Sequence, residues 1–169
     1  MPFDDATTPV PDMSGNGNDG VLTGATWMSD YGGIYSFDGA GDYIEVSDAA
    51  SLDITEALTV SAWVNMGTMT GSLNLRYIMG KGTSWTNEPY LLSYVISNNR
   101  WYFRVYDGAI NYVISTPAST GWHLVTGVFA GDSLELYVDG VLANSVSFSA
   151  TTLAAVSYTH LTLPTTPYV

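Results

Sequence analysis

The residues best suited to chemistry lie in an Asp- and Asn-rich segment near the beginning of the sequence. Side chains that carry oxygen occupy alternate positions there: Asp12, Ser14, Asn16 and Asn18. Hard oxygens at alternate positions, with Gly17 among them to permit a sharp turn, are the pattern of the first half of a calcium-binding loop. The twelfth position of an EF-hand loop needs a bidentate glutamate, and this chain has Thr23 there. The segment is therefore not an EF-hand.

Two interpretations of this segment remain open. In the first, calcium binds the loop, and Asp38 or Asp42 from elsewhere in the fold supplies the remaining negative charge. In the second, Asp12, Asn16 and Asn18 form Asx-turns, in which the side chain bonds to the backbone two residues further on. Calcium is accordingly the one cofactor that the sequence suggests.

Residues for catalysis are sparse. The sequence has no cysteine and two histidines, His123 and His160, so it argues against thiolate catalysis, a Ser-His-Asp triad and a two-histidine metal site. Glycosidases need two carboxyl groups facing one cleft. Asp42 and Glu45 are an odd number of residues apart, so they point to opposite faces of a regular strand. We predict that the protein is not an enzyme and that His123 is a half-buried polar group at the start of a strand.

The overall charge excludes two classes of partner. Lys and Arg number 4 against 16 Asp and Glu, which gives a formal net charge of -12. A chain this acidic is repelled by phosphate backbones, so nucleic-acid binding is not expected. A basic helix on a membrane surface is excluded for the same reason, and no apolar run approaches the roughly 18 residues of a membrane span.

The elements that must position these residues are β-strands. Runs rich in aromatic and β-branched residues recur every 8–12 residues or so between turn residues, as in a sandwich or barrel. The runs are residues 62–64, 76–79, 90–96, 101–106, 112–114, 122–129 and 134–138. Asp139-Gly140 and Asp107-Gly108 each predict a two-residue type I′ hairpin turn. Residues 48–57 could form at most one short turn of helix.

Aromatic side chains offer binding rather than reaction chemistry, because sugar rings can stack on an exposed aromatic plane. Trp85, in the polar loop at residues 83–89, is the best candidate for such a plane. With Asn87 and Tyr90 it forms the predicted ligand-binding set. Trp63 and Trp122 are assigned to the core. Four more aromatic residues either line one face or pack in the core: Trp101, Tyr102, Tyr106 and Tyr112.

A series of short motifs occurs in one order along residues 3 to 153. They are residues 3–5 (FDD), 12–20 (DMSGNGNDG), 35–46 (YSFDGAGDYIEV), 58–64 (LTVSAWV), 78–82 (IMGKG), 122–125 (WHLV) and 136–142 (LYVDGVL). This series resembles the LamG-like jelly-roll domains of the concanavalin A-like superfamily. The resemblance implies an all-β, antiparallel jelly-roll sandwich.

The resemblance also implies a function. It suggests a non-catalytic carbohydrate-binding or adhesion module of a larger extracellular or cell-surface protein, with calcium as a stabilising ion. The alternative is a structural or protein-interaction module without glycan affinity, and a glycoside hydrolase fragment is less supported. The expected partners are a glycan or a cell-surface protein, together with neighbouring domains of the same chain.

The end of the sequence departs from the family pattern. We expect an incomplete domain over residues 1–155 and a non-native tail over 156–169, because residues 156–165 resemble the translation of a sequencing-library adapter. The two closing strands that family members carry after the hairpin at Asp139 are missing there. Without them a sandwich would expose edge backbone and an apolar face. We therefore expect this metagenomic-type fragment to be poorly soluble or to dimerise.

Overall fold

The computed structural model describes residues 6–38, 41–67, 75–82, 88–109, 111–147 and 152–154. In these ranges the chain forms β-strands and short 3-10 turns, which confirms the all-β prediction. The strands are β1 (Gly20–Thr23), β2 (Thr26–Met28), β3 (Ile34–Ser36), β4 (Tyr43–Val46), β5 (Ala57–Met66), β6 (Leu75–Lys81), β7 (Tyr90–Val95), β8 (Arg100–Tyr106), β9 (Asn111–Pro117), β10 (Gly121–Ala130), β11 (Ser133–Val138) and β12 (Val141–Ser147). The 3-10 turns are Asp30–Gly32, Ala50–Leu52 and Ile96–Asn98.

Two four-stranded antiparallel sheets form the sandwich. One has the order β12-β11-β10-β5, and the other has the order β6-β7-β8-β9. The sheets lie with β12 against β9 and with β5 beside β6. The core between them takes side chains from both sheets, including Val64, Leu92, Phe103, Val125 and Leu136. Burial of each such side chain contributes about 1.5–3 kcal/mol to folding.

Two small sheets cover the side of the sandwich where β5 and β6 end it. β1 pairs with β4, and β2 pairs with β3. Their apolar side chains form a second cluster around Val10, Phe37 and Ile44. Met79 of β6 packs against both clusters, so the small sheets are tied to the main core.

Strand β5 shows how alternation assigns side chains to faces. Leu58, Val60, Val64 and Met66 are buried and Ala62 packs against the same core, whereas the alternate residues, from Ala57 to Asn65, point out of the sandwich. Trp63 is on the outward set and is 64% exposed. The assignment of Trp63 to the core was therefore wrong, because the period of 2 along the strand overrides the apolarity of its neighbours.

Trp122 departs from the prediction for the same reason. It pairs with Asn65 of β5, so its side chain belongs to the outward face, and it is half-buried rather than a core residue. Trp101 by contrast is fully buried in the core. In the ranges given above, the 3-10 turns are the only helical segments, and none has the length and apolarity that a membrane crossing requires.

The two predicted hairpin turns differ. Asp139 and Gly140 have φ values of 53° and 78°, so the turn between β11 and β12 has the two positive φ angles of type I′, as predicted. Between β8 and β9, Tyr106 pairs with Asn111, so the connection spans residues 107–110. The two-residue turn predicted there was wrong. Asp107 Oδ1 instead accepts a hydrogen bond from Ala109 N at 2.8 Å, which makes an Asx-turn.

Candidate functional site

The outward face of the β12-β11-β10-β5 sheet carries exposed aromatic side chains. Trp63 projects from β5, and Trp122 projects from the neighbouring strand beside Asn65. Tyr31, in the 3-10 turn at Asp30–Gly32, packs edge-on against Trp122 with ring centroids 5.5 Å apart. Tyr31 itself is 74% exposed. We refer to Tyr31, Trp63 and Trp122 as the aromatic platform.

Polar groups lie next to the platform on the same face. Ser61, two residues before Trp63 on β5, pairs across the sheet with Thr126, and their hydroxyl oxygens are 2.7 Å apart. Tyr137 lies beyond Thr126 on β11, and its hydroxyl donates to Glu135 Oε2 at 2.6 Å. That bond to a carboxylate raises the pKa of Tyr137. The face therefore combines aromatic planes with hydroxyl and carboxylate groups.

A groove extends from the platform along the edge of β5 that is not paired with any described strand. Its volume is about 1100 Å³, which is close to the upper end of the range of roughly 300–1,000 Å³ that is usual for ligand pockets. Trp63 and Trp122 line one part of it, and Asp12 and Asn18 line another. We call this cavity the β5 groove. It brings the two sets of residues, aromatic and oxygen-rich, to a single cavity.

The loop at Asp12 is held by hydrogen bonds of its own. Asp12 Oδ1 accepts Ser14 N at 2.8 Å, and Oδ2 accepts Ser14 Oγ at 2.7 Å and Asn18 N at 2.9 Å. The bonds from the backbone of Ser14 and Asn18 lower the pKa of Asp12 to about 2. Asn16 Nδ2 donates to Ser14 Oγ at 2.9 Å. Asp12 thus forms an Asx-turn, whereas the side-chain amide of Asn18 bonds to Ser51 Oγ rather than to the loop backbone.

Asp38 and Asp42 form a separate pair. Asp38 N donates to Asp42 Oδ2 at 2.7 Å. The Asp42 side chain packs against Gly24, since a Cβ added at Gly24 would lie 1.9 Å from Asp42 Oδ1. In the part of the chain that the structure describes, three or more acidic, histidine or cysteine side chains do not converge on one point. Calcium binding at the Asp12 loop remains a prediction from the sequence. The loop would offer calcium one carboxylate, that of Asp12, and the neutral side-chain oxygens of Ser14, Asn16 and Asn18.

The ligand-binding set that the sequence predicted is only partly described. Trp85 and Asn87 lie outside the described residues. Tyr90 is 4% exposed in the main core, with its hydroxyl 3.5 Å from the carbonyl oxygen of Leu52. Burial raises the pKa of Tyr90 to about 12. Its ring is packed inside the sandwich and presents no plane to solvent, whereas Trp63, which sequence reasoning placed in the core, does.

His123 takes part in a hydrogen-bonded chain that the sequence did not predict. Ser119 Oγ is 2.9 Å from His123 Nε2, and His123 Nδ1 is 2.8 Å from Asp139 Oδ2. Asp139 Oδ1 also accepts Leu124 N at 2.9 Å. These bonds lower the pKa of Asp139, with the bond from His123 as the main cause. The order of groups is that of a Ser-His-Asp triad. The imidazole packs edge-on to the buried Trp101, with centroids 6.3 Å apart, and its hydrogen bonds join β10 to the hairpin turn at Asp139.

Comparison with known proteins gives a family and a set of similar folds. The family model described as the Concanavalin A-like lectin/glucanases superfamily matches residues 38–167. The binding domain of Paraclostridial Mosquitocidal Protein 1 superposes with a TM-score of 0.68 at 15% identity, over 90% of this chain and 41% of that one. The receptor binding domain of botulinum neurotoxin D gives a TM-score of 0.68 at 16% identity, again over 90% and 41%.

A smaller structure also shares the fold. The CBM40 domain of the Ruminococcus gnavus IT-sialidase, bound to α2,3 sialyllactose, has a TM-score of 0.54 at 13% identity, over 85% of this chain and 76% of that one. The chain spans less than half of the length of the two toxin domains named above. Among curated protein sequences, none matches it. At these identities the likeness to solved structures establishes the β-sandwich fold.

Proposed function

Because the chain belongs to the Concanavalin A-like lectin/glucanases superfamily, we propose that it is a non-catalytic carbohydrate-binding module. The observation that carries this proposal is the position of Trp63, whose side chain is 64% exposed on an open sheet face. The large apolar side chain of a tryptophan is normally removed from water, because its burial is favourable. An exposed indole with hydroxyl groups beside it is suited to a sugar ring, which has an apolar face and polar edges.

The rest of the site supports the same ligand class. Asn65 follows Trp63 on the same face, and the Ser61–Thr126 hydroxyl pair lies two residues the other way along β5. These groups can donate to and accept from sugar hydroxyls around the ring that stacks on Trp63. The volume of the β5 groove beside them is sufficient for more than one sugar unit. A short oligosaccharide is the ligand that best uses both features.

The location and partners of the module follow from the ligand. We propose that it acts outside the cell, on a glycan or a glycosylated cell-surface protein, as one domain of a longer chain. The related folds named above support this at the level of fold, since they are binding domains of toxins and of a sialidase. Net charge of -12 favours neutral or weakly acidic sugars over polysulfated ones.

A glycan array tests the proposal. The wild-type chain is applied beside Trp63→Ala, which removes the indole of the platform that projects from β5, and Val141→Ala, which removes an exposed apolar side chain from β12. The proposal predicts that a subset of glycans binds wild type and Val141→Ala but not Trp63→Ala. A complete lack of glycan binding by folded wild type would leave the structural or protein-interaction module as the better account.

A further inference from the structure

The outward face of the β6-β7-β8-β9 sheet carries a row of hydroxyl groups. Residues that pair across an antiparallel sheet point to the same face. Tyr77 of β6 pairs with Ser93 of β7. Ser93 pairs in turn with Tyr102 of β8, and Tyr102 pairs with Ser115 of β9. Phe103, the next residue along β8, is in the main core, so the four hydroxyl side chains point away from that core. We call these four residues the hydroxyl row.

Two arginines stand beside the hydroxyl row. Arg100 and Arg104 lie two residues before and two residues after Tyr102 on β8, so all three side chains share the outward face. Arg104 Nη2 donates to Glu88 Oε2. Arg100, by contrast, forms no ion pair with any acid in the part of the chain that the structure describes. Arg100 thus carries a positive charge that no described carboxylate neutralises, in a chain whose formal net charge is -12.

Hydrogen bonds hold the Arg100 side chain in place without using all of its donors. Arg100 Nε donates to Ser115 Oγ at 2.9 Å, and Nη2 donates to the carbonyl oxygen of Ser115 at 3.1 Å. Arg100 pairs across the strands with Pro117, so these bonds draw its guanidinium towards the hydroxyl row. A guanidinium has five N–H donors, of which the two bonds to Ser115 use two. The remaining donors belong to a side chain that is already ordered, which lowers the entropy cost of binding.

Two members of the hydroxyl row can donate beside Arg100. Asn98 Nδ2 donates to the hydroxyl oxygen of Tyr102 at 2.5 Å. Because Tyr102 accepts this bond, its own O–H can donate to a ligand. Ser115 Oγ likewise accepts from Arg100 and keeps its proton for a ligand. A guanidinium and two hydroxyl donors are therefore gathered at one place, which suits an anion, and a carboxylate matches the fork of an arginine in shape.

Solvent reaches this face on the side of β8 and β9. Tyr102 and Ser115 are half-buried, and Val113, two residues before Ser115 on β9, is 48% exposed. On β7, by contrast, Leu91 and Ser93 are each 2% exposed. A ligand would therefore contact β8 and β9, where Arg100 lies, rather than the centre of β7.

We propose that this face is a second glycan site, which binds a carboxylated sugar such as a uronic or sialic acid through Arg100. The sugar carboxylate accepts from the guanidinium, and the ring hydroxyls exchange hydrogen bonds with Tyr102 and Ser115. An acidic peptide would offer the carboxylate without the ring hydroxyls, so the hydroxyl row favours a sugar. The two sheets pack through their inner faces, so this face points away from Trp63 and the proposal does not depend on the aromatic platform.

Isothermal titration calorimetry with carboxylated sugars tests the proposal. The probes are sialyllactose and a disaccharide that ends in glucuronic acid. Each is compared with its methyl ester, which keeps the ring hydroxyls and removes the charge, and a capped peptide with one central glutamate is the third probe. They are titrated into wild type, Arg100→Gln, Tyr102→Phe and Trp63→Ala. Ser147→Asp, at an exposed residue of β12, is the control, because it lowers the net charge by one, as Arg100→Gln does.

We expect wild type to bind at least one of the two acids about tenfold or more tightly than its ester, as for one charged hydrogen bond. Arg100→Gln should remove this preference, and Tyr102→Phe should weaken binding of the acid about twofold to tenfold. Ser147→Asp and Trp63→Ala should bind the acid like wild type. Circular dichroism shows whether each variant folds, and the comparison of acid with ester needs wild type alone.

The proposal fails if neither acid binds folded wild type at millimolar concentration, if the esters bind as tightly as the acids, or if Arg100→Gln keeps the preference for the acid. Loss of acid binding in Trp63→Ala would overturn it too, because that would place the acid on the aromatic platform. Equal binding of the glutamate peptide would make an acidic protein segment the ligand of this face. Binding of neutral sugars at Trp63 is measured separately, so failure here leaves the function proposed for the platform unaffected.

Discussion

Tyr31 packs edge-on against Trp122, with ring centroids 5.5 Å apart and an interplanar angle of 67°. The contact joins the 3-10 turn at Asp30–Gly32 to strand β10 and places two aromatic rings beside Trp63 on one face. Edge-to-face pairs of this kind contribute about 0.5–1.5 kcal/mol beyond their buried area. The geometry of the platform therefore depends on a residue from outside the sheet.

Replacement of Tyr31 by alanine should weaken glycan binding more than it weakens the fold. Tyr31 is 74% exposed, so its loss removes little core packing. We expect affinity to fall about threefold to tenfold, the equivalent of one aromatic contact, with a small change in the unfolding midpoint. Titration with an array-selected oligosaccharide measures this. Met13→Ala, at a similarly exposed residue, is the control, and an equal loss of affinity in both variants would contradict the prediction.

Asp139 should make stability depend on pH in the acid range. Its pKa in the folded chain is lowered by the hydrogen bonds from His123 and Leu124 N. A lowered folded pKa gives stability that is present above the unfolded value near 3.8 and is lost as the pH falls through the folded value. Asp139→Asn keeps a residue that tolerates the positive φ of the turn and removes the charge.

The measurement for Asp139 is the urea midpoint of both proteins from pH 7 down to pH 2. Wild type should exceed Asp139→Asn at pH 7, and the difference should shrink below about pH 4. Asp132→Asn, at an exposed acid before β11, controls for the general loss of negative charge. A difference between wild type and Asp139→Asn that stays constant over this pH range would show that the charge has no role.

Gly127 should tolerate no side chain. A Cβ added there would lie 2.4 Å from Cδ2 of Phe103, which is fully buried in the facing sheet. Overpacking of this kind costs about 1–3 kcal/mol, so Gly127→Ala should lower the free energy of unfolding by that amount. Chemical denaturation measures it. Ala130→Ser at the exposed end of the same strand should change stability by less than about 0.5 kcal/mol, and similar values for the two variants would refute the predicted close packing.

Calcium binding at the Asp12 loop is tested by thermal unfolding. If calcium completes the loop as the sequence predicts, millimolar calcium should raise the Tm of wild type, because a ligand stabilises the state that binds it. Asp12→Ala should not respond to calcium. Asp12→Ala should also unfold at lower temperature without calcium, since Asp12 accepts the backbone N–H groups of Ser14 and Asn18. Equal Tm values for wild type in calcium and in magnesium would favour the Asx-turn interpretation.

Local sequence patterns were sufficient for the class of fold and for one turn. The alternation along β11 and the Asp139-Gly140 pair depend on neighbours in the chain, so both could be read without a structure. The face on which Trp63 lies is obscured by its immediate neighbours, since apolar residues flank it on both sides, although Thr59, Ser61 and Asn65 of the same outward set are polar. A check of the parity of Trp63 against Leu58 and Val60 would have found it.

The site itself depends on contacts that no short segment encodes. Tyr31 meets Trp122 only because the small sheets fold against the edge of the sandwich. The acceptors of the His123 side chain lie in two different turns, at Ser119 and Asp139. Long-range register, rather than residue type, therefore decides which groups form the site.

The central claim is that the aromatic platform binds a sugar ring through Trp63. The most direct test is isothermal titration calorimetry with an oligosaccharide that the array selects, applied to wild type, Trp63→Phe and Trp63→Ala. Binding should weaken slightly in Trp63→Phe, which keeps an aromatic ring, and should be lost in Trp63→Ala while the unfolding midpoint stays close to that of wild type. Equal affinity of Trp63→Ala and wild type for the oligosaccharide would contradict the account.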